Sequence, residues 1–270
     1  MKLNNILVMG KSGAGKQPRI EVLCKEFGLE QLSTGNIFRE YLGKFNNSGY
    51  NGSLEDFWDK DKNWFLADSK IKEILKKSIE SKNLDYDDIV LGLKAKYFIE
   101  KGLFVPDEIT NELFASYFTR SNYRNKVLDG YPRTLPQAKF LLELVKKHQS
   151  SIDLIVLVDN DDKTIIERTT GRRICSNPAC AKVYHLKYKP PKDGKYCIEC
   201  GAEVIQRSDD TEGKIISRLN EFHTKTEPAI EYLKNENIPI AIVPGNLKEF
   251  SEEAVYQSVM DAVKKALGIS

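Results

Sequence analysis

A glycine-rich stretch near the beginning of the sequence has the residue types that bind phosphate. Gly10, Gly15 and Lys16 have the spacing G-x-x-x-x-G-K, and the next three residues are QPR, where a Ser or Thr is expected after the lysine. Backbone N–H groups of such a loop and the N-terminus of the following helix point at a polyphosphate, and the lysine reaches its outer phosphates. The stretch predicts a nucleotide site, with a ligand-free glycine-rich turn as the alternative.

Four cysteines have a spacing typical of metal ligands. Cys175 and Cys180 form a C-x4-C pair, and Cys197 and Cys200 form a C-x2-C pair, with turn residues around each. In a cytosolic protein such pairs predict zinc ligands rather than disulfides. Four thiolates complete a tetrahedron and leave no open position for catalysis, so we expect a structural zinc. The fifth cysteine, Cys24, is expected to be a small buried apolar group.

Arginine is scarce in this chain, which has 31 Lys and only 10 Arg. A guanidinium group binds phosphate with a planar fork of donors that the lysine ammonium does not reproduce. We therefore expect arginines where bidentate phosphate binding is needed, although any single one could be a solvated surface charge.

Alternating strands and helices must position these residues. Buried strands are predicted at NILVM, KVLDG, LIVLV and IPIAIV, with helical patterns between them, including residues 136–147 and 161–170. This order predicts an α/β protein with a parallel sheet, in which ligands bind at the carboxyl ends of the strands. The Gly10 loop and Asp129 both lie at such ends.

Two segments interrupt the alternation. Residues 175–207 contain the cysteine pairs and many turn residues, and residues 46–91 are polar and hold both tryptophans. The second segment also contains a predicted amphipathic helix. Its apolar face consists of Ile71, Ile74, Leu75 and Ile79.

The composition limits the class of protein. The chain has 270 residues, of which 41% are hydrophobic and 30% charged, with a net charge of +2. This suits one sizeable core with inserted subdomains, and the near-balanced charge gives no indication of nucleic-acid or membrane binding. The N-terminal apolar run is too short for a secretory signal or a membrane span. We therefore expect a cytoplasmic protein.

Three further stretches complete a specific pattern: STGNIFR at 33–39, LDGYPRTLPQA at 128–138, and GRRIC from residue 171. Together with the loop they resemble the adenylate kinases, within the P-loop nucleoside monophosphate kinases. The resemblance covers nearly the whole chain except about 46–91. It implies a three-layer P-loop NTPase fold with a parallel sheet. It also implies a CORE domain (1–34, 108–170 and 208–270), an AMP-binding subdomain (35–107, with the insertion 46–91) and a zinc-binding LID (171–207).

The activity implied by the resemblance is reversible transfer of the terminal phosphate of ATP to AMP, giving two ADP, with Mg²⁺. Phosphoryl transfer needs fixed charge around an in-line transition state more than acid–base chemistry. Asp129 is implied to orient water ligands of Mg²⁺. The implied catalytic residues are Lys16, Asp129, Arg133, Arg172, Arg207 and Arg218.

The resemblance also places the two nucleotides. It implies that Arg168 stacks on the ATP base, that Gln137 binds the AMP adenine edge through its amide, and that Arg39 and Arg133 grip the AMP phosphate. The ATP-binding residues would be Ser12, Gly13, Ala14, Gly15, Lys16, Arg168, Arg172, Val183, Tyr184 and Leu247. The AMP-binding residues would be Thr34, Gly35, Arg39, Leu103, Phe104, Val105, Gly130, Tyr131, Arg133, Gln137, Arg207 and Arg218.

The chain departs from the family pattern at two places. Asn36 stands where the family usually has Asp, and QPR stands where it has Gly-Thr-Gln. Pro18 supplies neither a hydroxyl nor a backbone N–H, although it suits the first turn of a helix. Our hypothesis is that Arg19, aided by Gln17, replaces the lost donors and helps to hold the ATP α- or β-phosphate. The alternative is that Arg19 points outward.

Several alternatives remain at this stage. Asp209 and Asp210 either anchor the LID arginines in the closed state or cap the following helix. The chain could phosphorylate another nucleoside monophosphate, or it could be a nucleotide-binding pseudokinase that acts through its insertion. A zinc-ribbon nucleic-acid binder is disfavoured by the near-neutral charge. The insertion is expected to extend the AMP-binding subdomain or to form an oligomer contact, so the protein would be a monomer or a homo-oligomer.

Overall fold

The computed structural model describes residues 3–79, 84–247 and 251–269. Its strands and longer helices follow in chain order as β1 (Asn5–Met9), α1 (Lys16–Phe27), β2 (Glu30–Ser33), α2 (Thr34–Asn46), β3 (Trp58–Asp59), β4 (Trp64–Phe65), α3 (Asp68–Ser78), α4 (Tyr86–Glu100), α5 (Asp107–Phe118), β5 (Lys126–Asp129), α6 (Leu135–Lys147), β6 (Leu154–Asp159), α7 (Asp162–Thr170), β7 (Arg172–Cys175), β8 (Val183–His185), β9 (Val204–Ile205), α8 (Glu212–Glu221), α9 (Glu227–Lys234), β10 (Ile240–Pro244) and α10 (Glu252–Leu267). None of the helices in these ranges has both the length and the apolar character that a membrane span requires.

Five parallel strands form the central sheet in the order β10-β6-β1-β5-β2. The four strands predicted from apolar runs are present, and the expected α/β fold with a parallel sheet is confirmed. The apolar pattern misses β2, because its sequence EQLS contains a single apolar residue, the buried Leu32. Pairing with β5, rather than intrinsic propensity, makes this segment extended.

The sheet is covered on both faces. Along β1, Ile6 and Val8 belong to one apolar layer, whereas Leu7 and Met9 belong to the other, because successive side chains of a strand point to opposite faces. The first layer includes residues of α1, α7, α8 and α10, and the second includes residues of α2, α4, α5, α6 and α9. This is the three-layer arrangement implied by the resemblance.

The carboxyl edge of the sheet collects the predicted site. The glycine-rich loop joins β1 to α1, which begins at Lys16. Helix α2 begins at Thr34 directly after β2, and Gly130 directly follows β5. Because β1, β5 and β2 are adjacent and parallel, these three segments lie side by side.

The insertion packs against α4. Trp58 stacks on Tyr97 with ring centroids 4.5 Å apart, and Phe57 and Phe65 are buried. The helix predicted from apolar periodicity is present as α3, with Leu75 fully buried. The insertion shares one apolar cluster with α2, α4 and α5, which supports its expected place beside the AMP-binding subdomain. The domain boundaries themselves stay a prediction.

The cysteine-containing segment forms a small separate sheet. Strands β8, β7 and β9 pair antiparallel in that order. Its buried cluster contains Cys175, Cys197 and Tyr184. So few buried side chains supply little apolar stabilisation, which is the situation in which a metal commonly replaces a core.

The crossing of α2 and α4 leaves no room for a side chain at Gly92. A Cβ there would lie 2.1 Å from the Tyr41 carbonyl oxygen. We expect Gly92→Ala to lower the free energy of unfolding by about 1–3 kcal/mol, because the helices must move apart. Urea denaturation monitored by circular dichroism measures the change.

The matched control is Gly43→Ala on α2, where a Cβ would meet nothing within 4 Å. This change should be neutral or should stabilise the protein by up to about 1 kcal/mol, because alanine is the better helix former. Equal stability of the two variants would contradict the proposed backbone contact.

Candidate active site

The glycine-rich loop is folded around the Lys16 ammonium group. Lys16 Nζ donates to the carbonyl oxygens of Gly10 at 2.9 Å and Lys11 at 3.0 Å. Gly13 and Gly15 have φ values of +86° and +94°, which L-residues with a side chain rarely adopt. The sequence pattern therefore corresponds to a loop that only glycines at these positions can form without strain.

Burial lowers the pKa of Lys16 from 10.5 to about 8. The Asp129 carboxylate opposes this shift, whereas the Arg133 guanidinium adds to it. These two influences show that the ammonium group shares an electrostatic environment with the residues that follow β5. At a pH close to this pKa, a nearby anion would markedly increase the fraction of Lys16 that is protonated.

Residues at the ends of β2 and β5 are in contact. Thr34 Oγ1 donates to the Asp129 carbonyl oxygen at 3.0 Å, and Arg133 Nε donates to the Gly130 carbonyl oxygen at 2.9 Å. A Cβ at Gly130 would lie 3.0 Å from Thr34 Oγ1 and 3.2 Å from Arg133 Nη2, so glycine permits this approach. The structure thus brings together three of the residues predicted to bind AMP.

Gln31 bonds both to Asp129, at the end of β5, and to Gln17, in the first turn of α1, although the sequence patterns did not single it out. Its Nε2 donates to Asp129 Oδ2 at 3.1 Å, and its amide also pairs with the Gln17 amide at 3.2 Å. Gln17 Nε2 lies within 3.1 Å of Glu21 Oε1 as well. Gln17 therefore faces β2 and Asp129, and its expected contact with ATP stays a prediction.

Two predicted AMP-binding residues are engaged by protein groups. Gln137 accepts from the Arg133 backbone N–H at 2.8 Å and donates to Asp107 Oδ1 at 2.6 Å. Tyr131 is buried, stacks on Phe114 with centroids 3.9 Å apart, and belongs to the core by its side chain. Any contact of Tyr131 with a nucleotide in this conformation would have to use its backbone.

The remaining AMP-binding candidates are accessible. Leu103 and Phe104 are 55% and 70% exposed, which is unusual for apolar side chains of this size. The Lys225 ammonium lies 4.3 Å from the centroid of the Phe104 ring. Arg39 Nη2 donates to Asn36 Oδ1. Because asparagine stands here in place of the family Asp, this partner of Arg39 is uncharged.

Carboxylates hold two of the predicted catalytic arginines. Arg172 binds the fully buried Asp210 through two hydrogen bonds of 2.9 and 2.6 Å, and Arg218 Nη2 lies 2.8 Å from Asp209 Oδ2. The N-cap residue of α8 is Thr211, so the anchoring alternative for these two aspartates is the one that the contacts favour. Arg207 is exposed beside them.

The two LID residues predicted to contact ATP differ in the exposure of their side chains. Val183 is 46% exposed, whereas Tyr184 is only 2% exposed. Tyr184 Oη lies 3.2 Å from Cys197 Sγ and accepts from the Ile198 backbone N–H at 2.8 Å. The side chain of Tyr184 therefore supports the cysteine cluster, and only its backbone is open to the nucleotide role predicted for it.

Arg168 and Arg19 both face the turn after β10. Arg168 Nη1 donates to the Gly245 carbonyl oxygen at 3.1 Å, close in sequence to the predicted ATP contact Leu247. Arg19 is fully buried and donates to the carbonyl oxygens of Gly15 and Pro244. This burial contradicts the alternative that Arg19 points outward, whereas its predicted contact with an ATP phosphate stays a prediction. The Arg19 guanidinium group joins the end of the loop to the end of β10.

The four cysteine sulfur atoms are close enough for one metal ion. All lie within 4.8 Å of one another, with Cys175 and Cys200 3.4 Å apart and Cys180 and Cys197 3.7 Å apart. Tetrahedral zinc with Zn–S bonds of about 2.3 Å places its sulfur ligands about 3.8 Å apart. The geometry and the all-thiol donor set fit a zinc ion, so the cluster could hold one.

Comparison with known proteins agrees with this geometry. A family model described as "Adenylate kinase" matches residues 85–238. The adenylate kinase of Clostridium tetani is 32% identical over 239 residues, which cover 88% of this chain and 90% of that protein. Those of Caldanaerobacter subterraneus subsp. tengcongensis and a Thermoanaerobacter species are each 31% identical, over 97% of this chain and 95% and 97% of those proteins. The chain belongs to the adenylate kinase family.

Membership in the adenylate kinase family confirms the resemblance drawn from the four motifs. The family model begins at residue 85, whereas the alignments with adenylate kinases cover nearly the whole chain. The part that only the relatives cover includes the loop with QPR and most of the insertion.

The lowered pKa of Lys16 makes a prediction about pH. A polyphosphate beside Nζ favours the charged form and raises this pKa, so ATP binding should take up a proton above pH 8. Affinity for ATP should fall by up to about tenfold per pH unit between pH 8 and the higher pKa of the complex. Calorimetry in buffers of different ionisation enthalpy at pH 7.5 and 9 measures the uptake.

Lys16→Arg is the control, because a guanidinium stays protonated throughout this range. Proton uptake at pH 9 should be smaller in this variant by the contribution of one group. Identical uptake by both proteins would show that Lys16 does not titrate on binding.

The cysteine cluster makes a prediction about metal content. Purified protein should contain about one zinc per chain, and removal of the metal should disorder the LID first, because its own core is small. Cys197→Ser should lose the metal, whereas Cys24→Ser should retain it, since Cys24 lies in α1. Metal-free protein in which all four LID thiols react freely while the fold persists would refute the zinc site.

Proposed function

We propose that the protein catalyses reversible transfer of the terminal phosphate of ATP to AMP, giving two ADP. The observation that carries this proposal is the meeting of the Lys16 loop with Thr34, Asp129 and Arg133 at one edge of the sheet. The loop would bind the ATP phosphates, Thr34 and Arg133 would bind AMP, and Asp129 would lie between them. Two nucleotides bound end to end fit this arrangement.

Fixed positive charge provides most of the catalysis in the proposed reaction. An oxygen of the AMP phosphate attacks the γ-phosphorus of ATP, the bond between that phosphorus and the β,γ-bridging oxygen breaks, and ADP leaves. The AMP phosphate is already ionised, so no general base is needed. Lys16 and the arginines stabilise the charge on the transferred group, with Arg133 on the AMP side.

We also propose Mg²⁺ as the partner of ATP and zinc as a structural ion. Mg²⁺ neutralises phosphate charge when bound, and Asp129 would hold its water ligands in the proposed site. Gln31 fixes one carboxylate oxygen of Asp129 by a hydrogen bond of 3.1 Å. The cysteine cluster would hold zinc away from the reacting groups, with Tyr184 packed beside it.

The proposed domain roles follow the sequence expectations. Residues 1–34, 108–170 and 208–270 would form the CORE, 35–107 the AMP-binding subdomain and 171–207 the LID. The stacking of Trp58 on Tyr97 supports movement of the insertion together with α4. Specificity for adenine is proposed for Gln137, whose amide would exchange its bond to Asp107 for the base.

A coupled assay of ADP formation tests this proposal, with ATP as donor and AMP, CMP, GMP or UMP as acceptor. AMP should be the preferred acceptor. Arg133→Lys should lower kcat/KM for AMP by about 10²- to 10³-fold despite keeping its charge, because a preorganised planar donor is lost.

Arg124→Lys is the matched control, since Arg124 lies before β5, at the opposite edge of the sheet, and donates to the Gln149 carbonyl oxygen. It should retain parental kcat/KM. Preference for CMP, GMP or UMP would indicate a different monophosphate kinase, and nucleotide binding without turnover would indicate a pseudokinase. Unchanged kcat/KM in Arg133→Lys would remove Arg133 from the AMP site.

A further inference from the structure

The segment QPR gives the loop an unusual ending. Helix α1 begins at Lys16, so Pro18 and Arg19 both lie in its first turn. Proline removes the hydroxyl and the N–H group that a threonine would offer to phosphate. Arg19, one residue later, is 0% exposed, although arginine is seldom fully buried.

Arg19 connects the loop to a strand that is distant in sequence. Its Nη1 donates to the Gly15 carbonyl oxygen at 3.1 Å, and its Nη2 donates to the Pro244 carbonyl oxygen at 2.7 Å. Pro244 is the last residue of β10, 225 residues further along the chain. One planar guanidinium group therefore bonds the end of the loop and the end of an edge strand at the same time.

The hydrogen bond from Arg19 to the Gly15 carbonyl oxygen bears on the direction of the peptide group between Gly15 and Lys16. In a trans peptide, the carbonyl of one residue and the N–H of the next point in opposite directions. Because the Arg19 guanidinium bonds the Gly15 carbonyl on one side of this peptide, the Lys16 N–H points to the opposite side, at the N-terminus of α1. Orphan N–H groups at a helix N-terminus are the donors that bind phosphate in such loops.

The turn after β10 supports the loop from the other side. A Cβ at Gly245 would lie 2.1 Å from the Ala14 carbonyl oxygen, so the two backbones are in direct contact. Arg168 donates to the Gly245 carbonyl oxygen at 3.1 Å, next to the bond from Arg19 to Pro244. The two guanidinium groups place fixed positive charge beneath the cradle, where a polyphosphate would offset it.

We propose that Arg19 is a positioning residue for ATP: it orients the Gly15–Lys16 peptide and joins the loop to the Pro244–Gly245 turn, and in this way compensates for the hydroxyl that Pro18 lacks. Arg19 acts without touching the nucleotide. This inference rests on the proposed use of the loop for ATP, but it concerns binding rather than turnover.

Direct titration with ATP and with AMP tests the inference, at a temperature where circular dichroism shows every variant folded. Arg19→Met removes the charge and the hydrogen bonds to Gly15 and Pro244. It should weaken ATP binding by about 10- to 100-fold while AMP binding stays within about twofold. Arg19→Lys keeps the charge but not the fork, and should be intermediate. Arg124→Met is the control, an arginine that donates to a carbonyl far from the loop, and should bind both nucleotides like the parent.

A second substitution tests compensation. Pro18→Thr restores a hydroxyl. In the Arg19→Met background it should recover most of the lost ATP affinity. In the parent protein the same substitution should raise ATP affinity much less. Parental ATP affinity in Arg19→Met, even with reduced thermal stability, would make Arg19 a purely structural residue and overturn the proposal. Equal losses for ATP and AMP would do the same, and absence of recovery by Pro18→Thr would refute compensation. Because these arms measure binding, a failure of the proposed phosphotransfer would be seen separately in the ADP assay.

Discussion

The approach of the phosphate-binding loop to the neighbouring strands is the constraint on which the nucleotide site depends. A Cβ at Gly10 would lie 2.4 Å from the Val158 carbonyl oxygen, and the Gly245 turn meets Ala14 just as closely. These contacts join backbone to backbone, so no change of rotamer can relieve them. Glycine at these positions lets the loop rest directly on the sheet edge. The helix N-terminus, Lys16 and Asp129 then share one small region.

The distribution of charge around this region follows from that geometry. Lys16, Arg19 and Arg168 bond to backbone carbonyls at or beside the loop. Arg172 of the LID segment and Arg218 of α8 are instead held by Asp210 and Asp209 through hydrogen bonds. A bidentate carboxylate resembles a phosphate in the donors it accepts, so Arg172 is held in an orientation that also suits phosphate. Binding to nucleotide would then be an exchange of similar partners rather than a capture of free side chains.

Much of the architecture could be predicted because it depends on local pattern. Apolar runs identify four of the five strands, and the cysteine spacing identifies the cluster whose sulfurs lie within 4.8 Å. The strand β2 was missed, because its extension depends on pairing with β5. The buried position of Arg19 could not be predicted, because the orientation of its long side chain depends on an acceptor 225 residues away. Tyr184 shows the same limit, because its side chain packs on a cysteine that sequence alone does not place beside it.

The link between Arg19 and Pro244 also has a consequence for the order in which the protein is made. Within the described part of the chain, strand β10 pairs only with β6, at the edge of the sheet, and its turn supports a loop formed by residues 10–16. A nascent chain on the ribosome has the whole loop sequence early, but it lacks the surface against which the loop packs. The loop can therefore reach the conformation described here only after residue 245 has emerged from the exit tunnel and β10 has paired with β6.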